Sequence, residues 1–111
     1  MTLTIHIYYK GKGQEAIHFA KDMMDSGIVS EIRNQAGNLK YEYFRPMEDE
    51  QTILLIDQWE NQEALDKHHH SETMQKILDL RKKYSLHMEV YRFVEDESGI
   101  PESDQVFIDR E

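Results

Sequence analysis

The run Ile53-Leu54-Leu55-Ile56 places the tightest constraint on what this chain can fold into. It sits at the centre of Gln51–Glu60, a stretch that reads as a strand, and it is apolar at four successive positions. Neighbouring side chains on a strand point to opposite faces, so this strand needs an apolar cover on both sides. The rest of the sequence has to supply two covers for one sheet.

The flanking segments supply the first. Thr2–Tyr9 alternates, with Leu3, Ile5 and Ile7 on one face and Thr4, His6 and Tyr8 on the other. Gly11 and Gly13 break that strand, and the GKG between them is too short for a phosphate loop and reads as a turn. The spacing predicts a helix from Gln14 to about Asn34. Ala16, Ala20, Met23, Met24 and Gly27 recur at helical intervals, Ile17, Ile28 and Ile32 widen the stripe, and Ser26-Gly27 is a point where it kinks. Ala36-Gly37-Asn38 ends the helix. Leu39–Pro46 is a second strand, with Leu39, Tyr41, Tyr43 and Arg45 opposite Lys40, Glu42 and Phe44. A polar hairpin loop, Met47–Glu50, leads into the third. Asn61 and Ser71 are N-caps of further helical segments, and Met74, Ile77, Leu78 and Tyr84 mark the buried side of the second. Leu86–Val94 alternates as a fourth strand, with Leu86, Met88 and Val90 opposite His87, Glu89, Tyr91 and Phe93.

The order β-α-β-β-α-β predicts an α+β fold of the ferredoxin-like type, an antiparallel four-stranded sheet with its helices on one face. The other face carries Tyr8, Phe44, either Leu54 or Ile53, Tyr91 and Phe93, which is too apolar to stay solvated. A two-fold homodimer packed through that sheet face is the simplest second cover, and the chain's own tail is the alternative. Residues 1–94 read as one domain and residues 95–111 as an acidic C-terminal extension. Its apolar trio Val106-Phe107-Ile108 is able to dock on the domain or on a partner. The 111 residues suit a single domain.

Composition narrows the partners. With 22 acids against 13 bases the net charge is −9, a field that repels phosphate backbones and anionic membranes. The absence of cysteine excludes disulfides, thiolate metal sites and thiol nucleophiles. Met1–Lys10 lacks the basic start and apolar run of a signal peptide, and no apolar stretch approaches the roughly 18 residues of a membrane span. A cytoplasmic protein is the expectation.

Candidate chemistry concentrates in Trp59–His70, WENQEALDKHHH. The only tryptophan ends a strand. His68, His69 and His70 follow on a helix, where successive side chains diverge by about 100°, so the three cannot share one metal ion. No HExxH-like spacing exists, and no metal is expected. His68 alone suits a general base or hydrogen-bond donor near neutral pH, with a structural helix-end role as the competing reading. Tyr41, Tyr43 and Tyr91 offer phenols to a pocket or form cross-strand pairs. Arg33 and Asn34, at the end of the first helix, offer donors to an anionic or carbonyl group. Dinucleotide, Walker and nucleophile-elbow motifs are absent.

Two segments carry a family resemblance. Ile32-Arg33-Asn34-Gln35-Ala36-Gly37-Asn38-Leu39-Lys40-Tyr41 resembles the R-x-x-x-G-x-x-x-Y segment of antibiotic biosynthesis monooxygenase domains. Trp59 to His68, followed by Ser71, Met74 and Ile77, resembles that family's second signature, in which a Trp and an acid lead into a short helix ending in His. The resemblance covers about residues 2–94. It implies a ferredoxin-like fold, a dimeric α+β barrel and a pocket between helices and sheet, with Tyr41, Trp59 and His68 as pocket residues. The family includes cofactor-free oxygenases of quinols and polyketide-like aromatics, haem-degrading enzymes and the isomerase of phosphorylated autoinducer-2. The Ala36–Leu39 stretch looks especially like the last. The haem branch wants an amide where the first strand has His6. The expectation is a cofactor-independent monooxygenase of a small quinol or phenol-like substrate. In that reading His68 is the base, Trp59 shapes the pocket, Tyr41 or Arg33 steadies the anion, and Asn34 lies beside them. The alternatives are an isomerase of a small phosphorylated sugar-like signal and a non-catalytic small-molecule-binding or stress protein.

Overall fold

The computed structural model describes residues 1–108. The elements, in chain order, are β1 (Leu3–Lys10), α1 (Glu15–Asp25), α2 (Ile28–Arg33), β2 (Asn38–Phe44), β3 (Thr52–Trp59), α3 (Gln62–His69), α4 (Glu72–Arg81), β4 (His87–Val94) and the short α5 (Glu102–Gln105). The four strands form one antiparallel sheet in the order β2-β3-β1-β4. This is the expected ferredoxin-like arrangement, and it puts the doubly apolar β3 at an interior position. The pairing Leu3↔Trp59, Ile5↔Asp57, Ile7↔Leu55 and Tyr9↔Ile53 aligns the inward faces of β1 and β3.

Helices cover that inward face. Phe19, Met23, Ile32, Leu55 and Trp59 are the largest side chains fully removed from water. Asn61 caps α3, its Oδ1 accepting from the Ala64 N–H at 2.9 Å, and Ser71 caps α4 by accepting from the Met74 N–H at 3.2 Å. Both caps are those the sequence marks.

Several expectations need correction. The helix predicted over 14–34 is two helices, not one kinked helix. Gly27 has φ +87°, a left-handed conformation that ends α1 and starts α2 at a new angle. Met24 and Leu78, expected on buried stripes, are exposed, and Phe19 fills the core instead. Leu39 leaves the Tyr41–Tyr43 face because β2 has a bulge between Asn38 and Lys40, which shifts the alternation by one residue. Of Ile53 and Leu54, Leu54 belongs to the outer face, since Ile53 is buried in the core.

The outer face is apolar, as expected. Phe44, Tyr91 and Phe93 are 36%, 50% and 48% exposed. Two ring pairs cross it, His6–Phe93 at 4.9 Å and Tyr8–Tyr91 at 6.0 Å between centroids. The extension from Glu95 does not bury its apolar trio, for Val106, Phe107 and Ile108 are all exposed. No helix is long and apolar enough to cross a membrane among the described residues.

Gly37 fixes how α3 meets the β2 entrance. It has φ +85°, and a Cβ there would lie 2.4 Å from the Ala64 Cβ. Gly37→Ala is expected to cost roughly 3 kcal/mol, from left-handed strain plus overpacking. Gly27→Ala, at φ +87° with open space around it, should cost only about 1–2 kcal/mol. Urea unfolding of the two variants checks this. Equal losses would mean that Ala64 yields freely.

Candidate active site

One cavity of about 360 Å³ opens between the inward sheet face and α3 and α4. Its walls are mainly apolar, with Ile5, Ile7, Leu55, Leu65, Ile77 and Met88. The polar groups on it are Tyr9, Tyr41, Asp57, Gln62, His68 and His69, together with Arg81 and Arg92.

Asp57 is the residue the sequence reading passed over. It is 5% exposed, because it shares the inward phase of Ile53, Leu55 and Trp59. The Trp59 indole N–H donates to its Oδ1 at 2.6 Å. Burial pushes its carboxyl up to about 7, and the indole hydrogen bond works against that rise. The signal was available: in QTILLIDQW, alternation puts an acid in register with the most apolar face of the chain.

His68 is also buried. Its imidazole stacks on Trp59, with ring centroids 4.8 Å apart and planes 27° apart. Burial, helped by the neighbouring His69, pushes it down to about 4, so it is neutral at pH 7. Its Nδ1 lies 2.7 Å from Gln35 Oε1. An amide oxygen only accepts, so Nδ1 carries the hydrogen and Nε2 keeps its lone pair. Gln35 is held in turn, its Nε2 donating to Ser71 Oγ at 3.3 Å, while Ser71 Oγ donates to the His68 carbonyl at 2.7 Å. The ring of contacts fixes amide and imidazole together. His70 turns away, with Nδ1 2.8 Å from the Asp66 carbonyl.

The buried phenols add donors. Burial raises Tyr41 well above the ordinary phenol range and pushes Tyr9 up to about 12, so both stay protonated at neutral pH.

Of the residues expected at a site, Tyr41 and His68 line this cavity together. Trp59 lies behind it, fully buried, and acts on it through Asp57 and His68. Arg33 and Asn34 are exposed, and neither lines it. The Arg33 guanidinium is instead spent on the backbone of β2, donating from Nε and Nη2 to the Tyr41 carbonyl at 3.0 and 2.7 Å. Both lie at the end of α2, which the left-handed Gly27 separates from α1.

The antibiotic biosynthesis monooxygenase family model matches residues 2–80. This chain belongs to that family. Solved structures of the fold agree, each with less than a fifth of residues identical. A conserved protein from Methanosarcina mazei superposes with a TM-score of 0.74 at 14% identity, over 86% of this chain and 94% of that one. A Deinococcus radiodurans protein named for the same family gives 0.72 at 16% identity, over 86% and 93%. SnoaB from Streptomyces nogalater, described as a cofactor-independent oxygenase, gives 0.70 at 12% identity, over 86% and 93%. No curated protein matches the chain.

The two perturbed groups of this family member pull its stability in opposite directions with pH. Asp57 titrates near 7 when folded and near 3.8 when unfolded, so the folded state holds the extra proton between those values. Stability from this group therefore falls as pH rises from about 4 to 7. His68 titrates near 4 when folded and near 6.5 when unfolded, so the unfolded state holds the extra proton. Its contribution grows over almost the same range. Removing one should expose the other. Asp57→Asn is expected to become more stable from pH 4.5 to 6.5 relative to the parent chain, by at most about 1.4 kcal/mol per pH unit. His68→Gln should show the reverse slope. Urea unfolding across that range measures both, and slopes matching the parent chain would rule out the assigned shifts.

Proposed function

We propose that this protein is a monooxygenase acting on a small quinol or phenol, with the electrons for oxygen supplied by the substrate. One observation carries the reading: a buried carboxyl titrating near neutrality, Asp57, lines an otherwise apolar cavity together with the neutral imidazole of His68. Family membership supports the general monooxygenase type, and SnoaB, described as a cofactor-independent oxygenase, shares the fold. The apolar lining favours an aromatic ring over the phosphorylated sugar-like substrate of an isomerase.

In this scheme Asp57 takes the hydroxyl proton. His68 acts at the substrate by accepting a hydrogen bond at Nε2, which its depressed basicity suits better than proton removal. The base role given to His68 on sequence grounds thus passes to Asp57, and His68 orients. Protonated Tyr41 donates to the developing oxyanion in a water-poor cavity. The phenolate passes one electron to O₂, and the two radicals join at a ring carbon bearing hydrogen. Loss of that proton breaks the O–O bond. One oxygen stays on the substrate as a carbonyl and the other leaves as water, so a phenol plus O₂ gives a quinone plus water. Trp59 keeps Asp57 and His68 in place.

Oxygen uptake on a panel of naphthalenediols tests this. The rate constant kcat/KM should rise with pH through an inflection near 7, as Asp57 ionises. Asp57→Asn should lower it on the order of 100-fold or more, while Trp59 fluorescence reports that the cavity still binds the ring. An Asp57→Asn variant with undiminished uptake would remove Asp57 from the mechanism. Binding without turnover in the parent chain would favour a non-catalytic binding protein.

A second copy is the proposed cover of the outer sheet face, because the exposed Tyr91 and Phe93 rings stay uncovered by the tail trio. Sedimentation should give a dimer, and Tyr91→Glu with Phe93→Glu should shift it to monomer. A monomeric parent chain at working concentration would overturn the sheet-to-sheet packing.

A further inference from the structure

Among the described residues, the cavity also holds a cation without a hydrogen-bond or ion-pair partner. Arg81, half-buried at the end of α4, lines it, and its side chain makes neither a hydrogen bond nor an ion pair among the described residues. This is notable in a chain with 22 acids. The second arginine on the wall, Arg92, is engaged: its Nη2 donates to Gln62 Oε1 at 2.5 Å. The two occupy different ends. Arg92 pairs across the sheet with Ile5, which also faces Asp57. Arg81 lies near Tyr9, whose phenol its charge acidifies, while burial and the charge of Asp57 act on that phenol in the opposite sense. Ile5 and Tyr9 are four residues apart on β1, roughly 13 Å at the rise of a strand.

We infer that the substrate of the proposed reaction carries an oxyanion, a carboxylate or a phosphate, on the side of the ring remote from its reacting hydroxyl, and that Arg81 binds it. This rests on the cavity being the substrate site. A guanidinium lining an apolar cavity gains most from a charge-assisted, bidentate oxyanion contact. The protein's −9 charge repels anions in general, so an anionic substrate needs such a local cation. At the opposite end the Asp57 carboxyl, which ionises near neutral pH, offsets the charge of Arg92 and leaves no surplus cation for an anion. A ligand of two fused rings can lie along that backbone interval with its hydroxyl towards Asp57 and its oxyanion towards Arg81. A volume of about 360 Å³ is near the lower limit for small-molecule sites and holds a ligand of that size.

The test uses the full chain and the fluorescence of its sole tryptophan, Trp59, under anaerobic conditions, with oxygen uptake measured separately. The probes are 1,4-dihydroxynaphthalene, its 6-carboxylate and 6-phosphonate, and the 2-carboxylate, in which the charge sits beside the hydroxyls. The 6-carboxylate or the 6-phosphonate should bind on the order of 10-fold or more tighter than the neutral ring, and the better of the two identifies the oxyanion. The 2-carboxylate should gain nothing. Arg81→Gln should abolish the preference, with Arg81→Lys restoring part of it. Equal binding of the neutral and 6-substituted rings to the parent chain would overturn the inference, and so would a preference that survives Arg81→Gln. If the preference appears without oxygen uptake, the oxyanion site stands and the oxygenase reading fails. Uptake without the preference gives the converse.

Discussion

The hydrogen bond from the Trp59 indole to Asp57 Oδ1 is the constraint on which the rest of the site depends. The two residues are separated by one position on β3, so both must point inward. Burying a carboxylate without full compensation is costly, and one neutral donor offsets only part of that cost. The carboxyl therefore rises to about 7 instead of returning to its ordinary range. The same indole carries the His68 ring on its face, which pins the C-terminal end of α3 against β3. Strand, helix and titrating pair are thus joined through one side chain.

A second, smaller device holds α3 in register with the segment after α2. The Glu60 N–H donates to the Gly37 carbonyl at 2.8 Å, and Gly37 lets Ala64 approach closer than any Cβ would permit. Gln35 is brought within reach of His68 as a result. Its oxygen accepts the Nδ1 hydrogen, and Ser71 both holds the Gln35 amide and caps α4. A residue outside the cavity wall thus decides which imidazole nitrogen is free.

How much of this was legible in the sequence follows from which rules are local. Strand phases, the caps at Asn61 and Ser71 and the element order depend on alternation and on short-range hydrogen bonds, and these are visible in LTIHIYY, in NQEA and in SETM. Tyr41 and His68, which a motif pattern marks, are brought together on one cavity wall. Arg33 and Asn34 fall outside the wall of this cavity, on a helix that starts anew after Gly27, whose left-handed geometry separates α1 from α2. Leu39 was misplaced because a bulge adds a residue on only one strand, which alternation along a single segment cannot reveal. Asp57 was legible in principle, since its phase matches Ile53 and Leu55. Reading β3 as apolar on both faces hid the one position where the pattern put an acid on the buried side.

The two covers that β3 demands are not independent. β4 presents Met88, Val90 and Arg92 to the cavity and His87, Glu89, Tyr91 and Phe93 to the outer face, in strict alternation. It is also an edge strand, bonded only to β1. An edge strand with large exposed rings is the least constrained wall of the cavity. A second copy packed on Tyr91 and Phe93 would hold β4 from outside and thereby fix Val90 and Arg92 within. Loss of such a partner should then loosen substrate positioning before it unfolds the domain, because the Trp59–Asp57–His68 cluster is anchored on β3 and α3 and does not depend on β4.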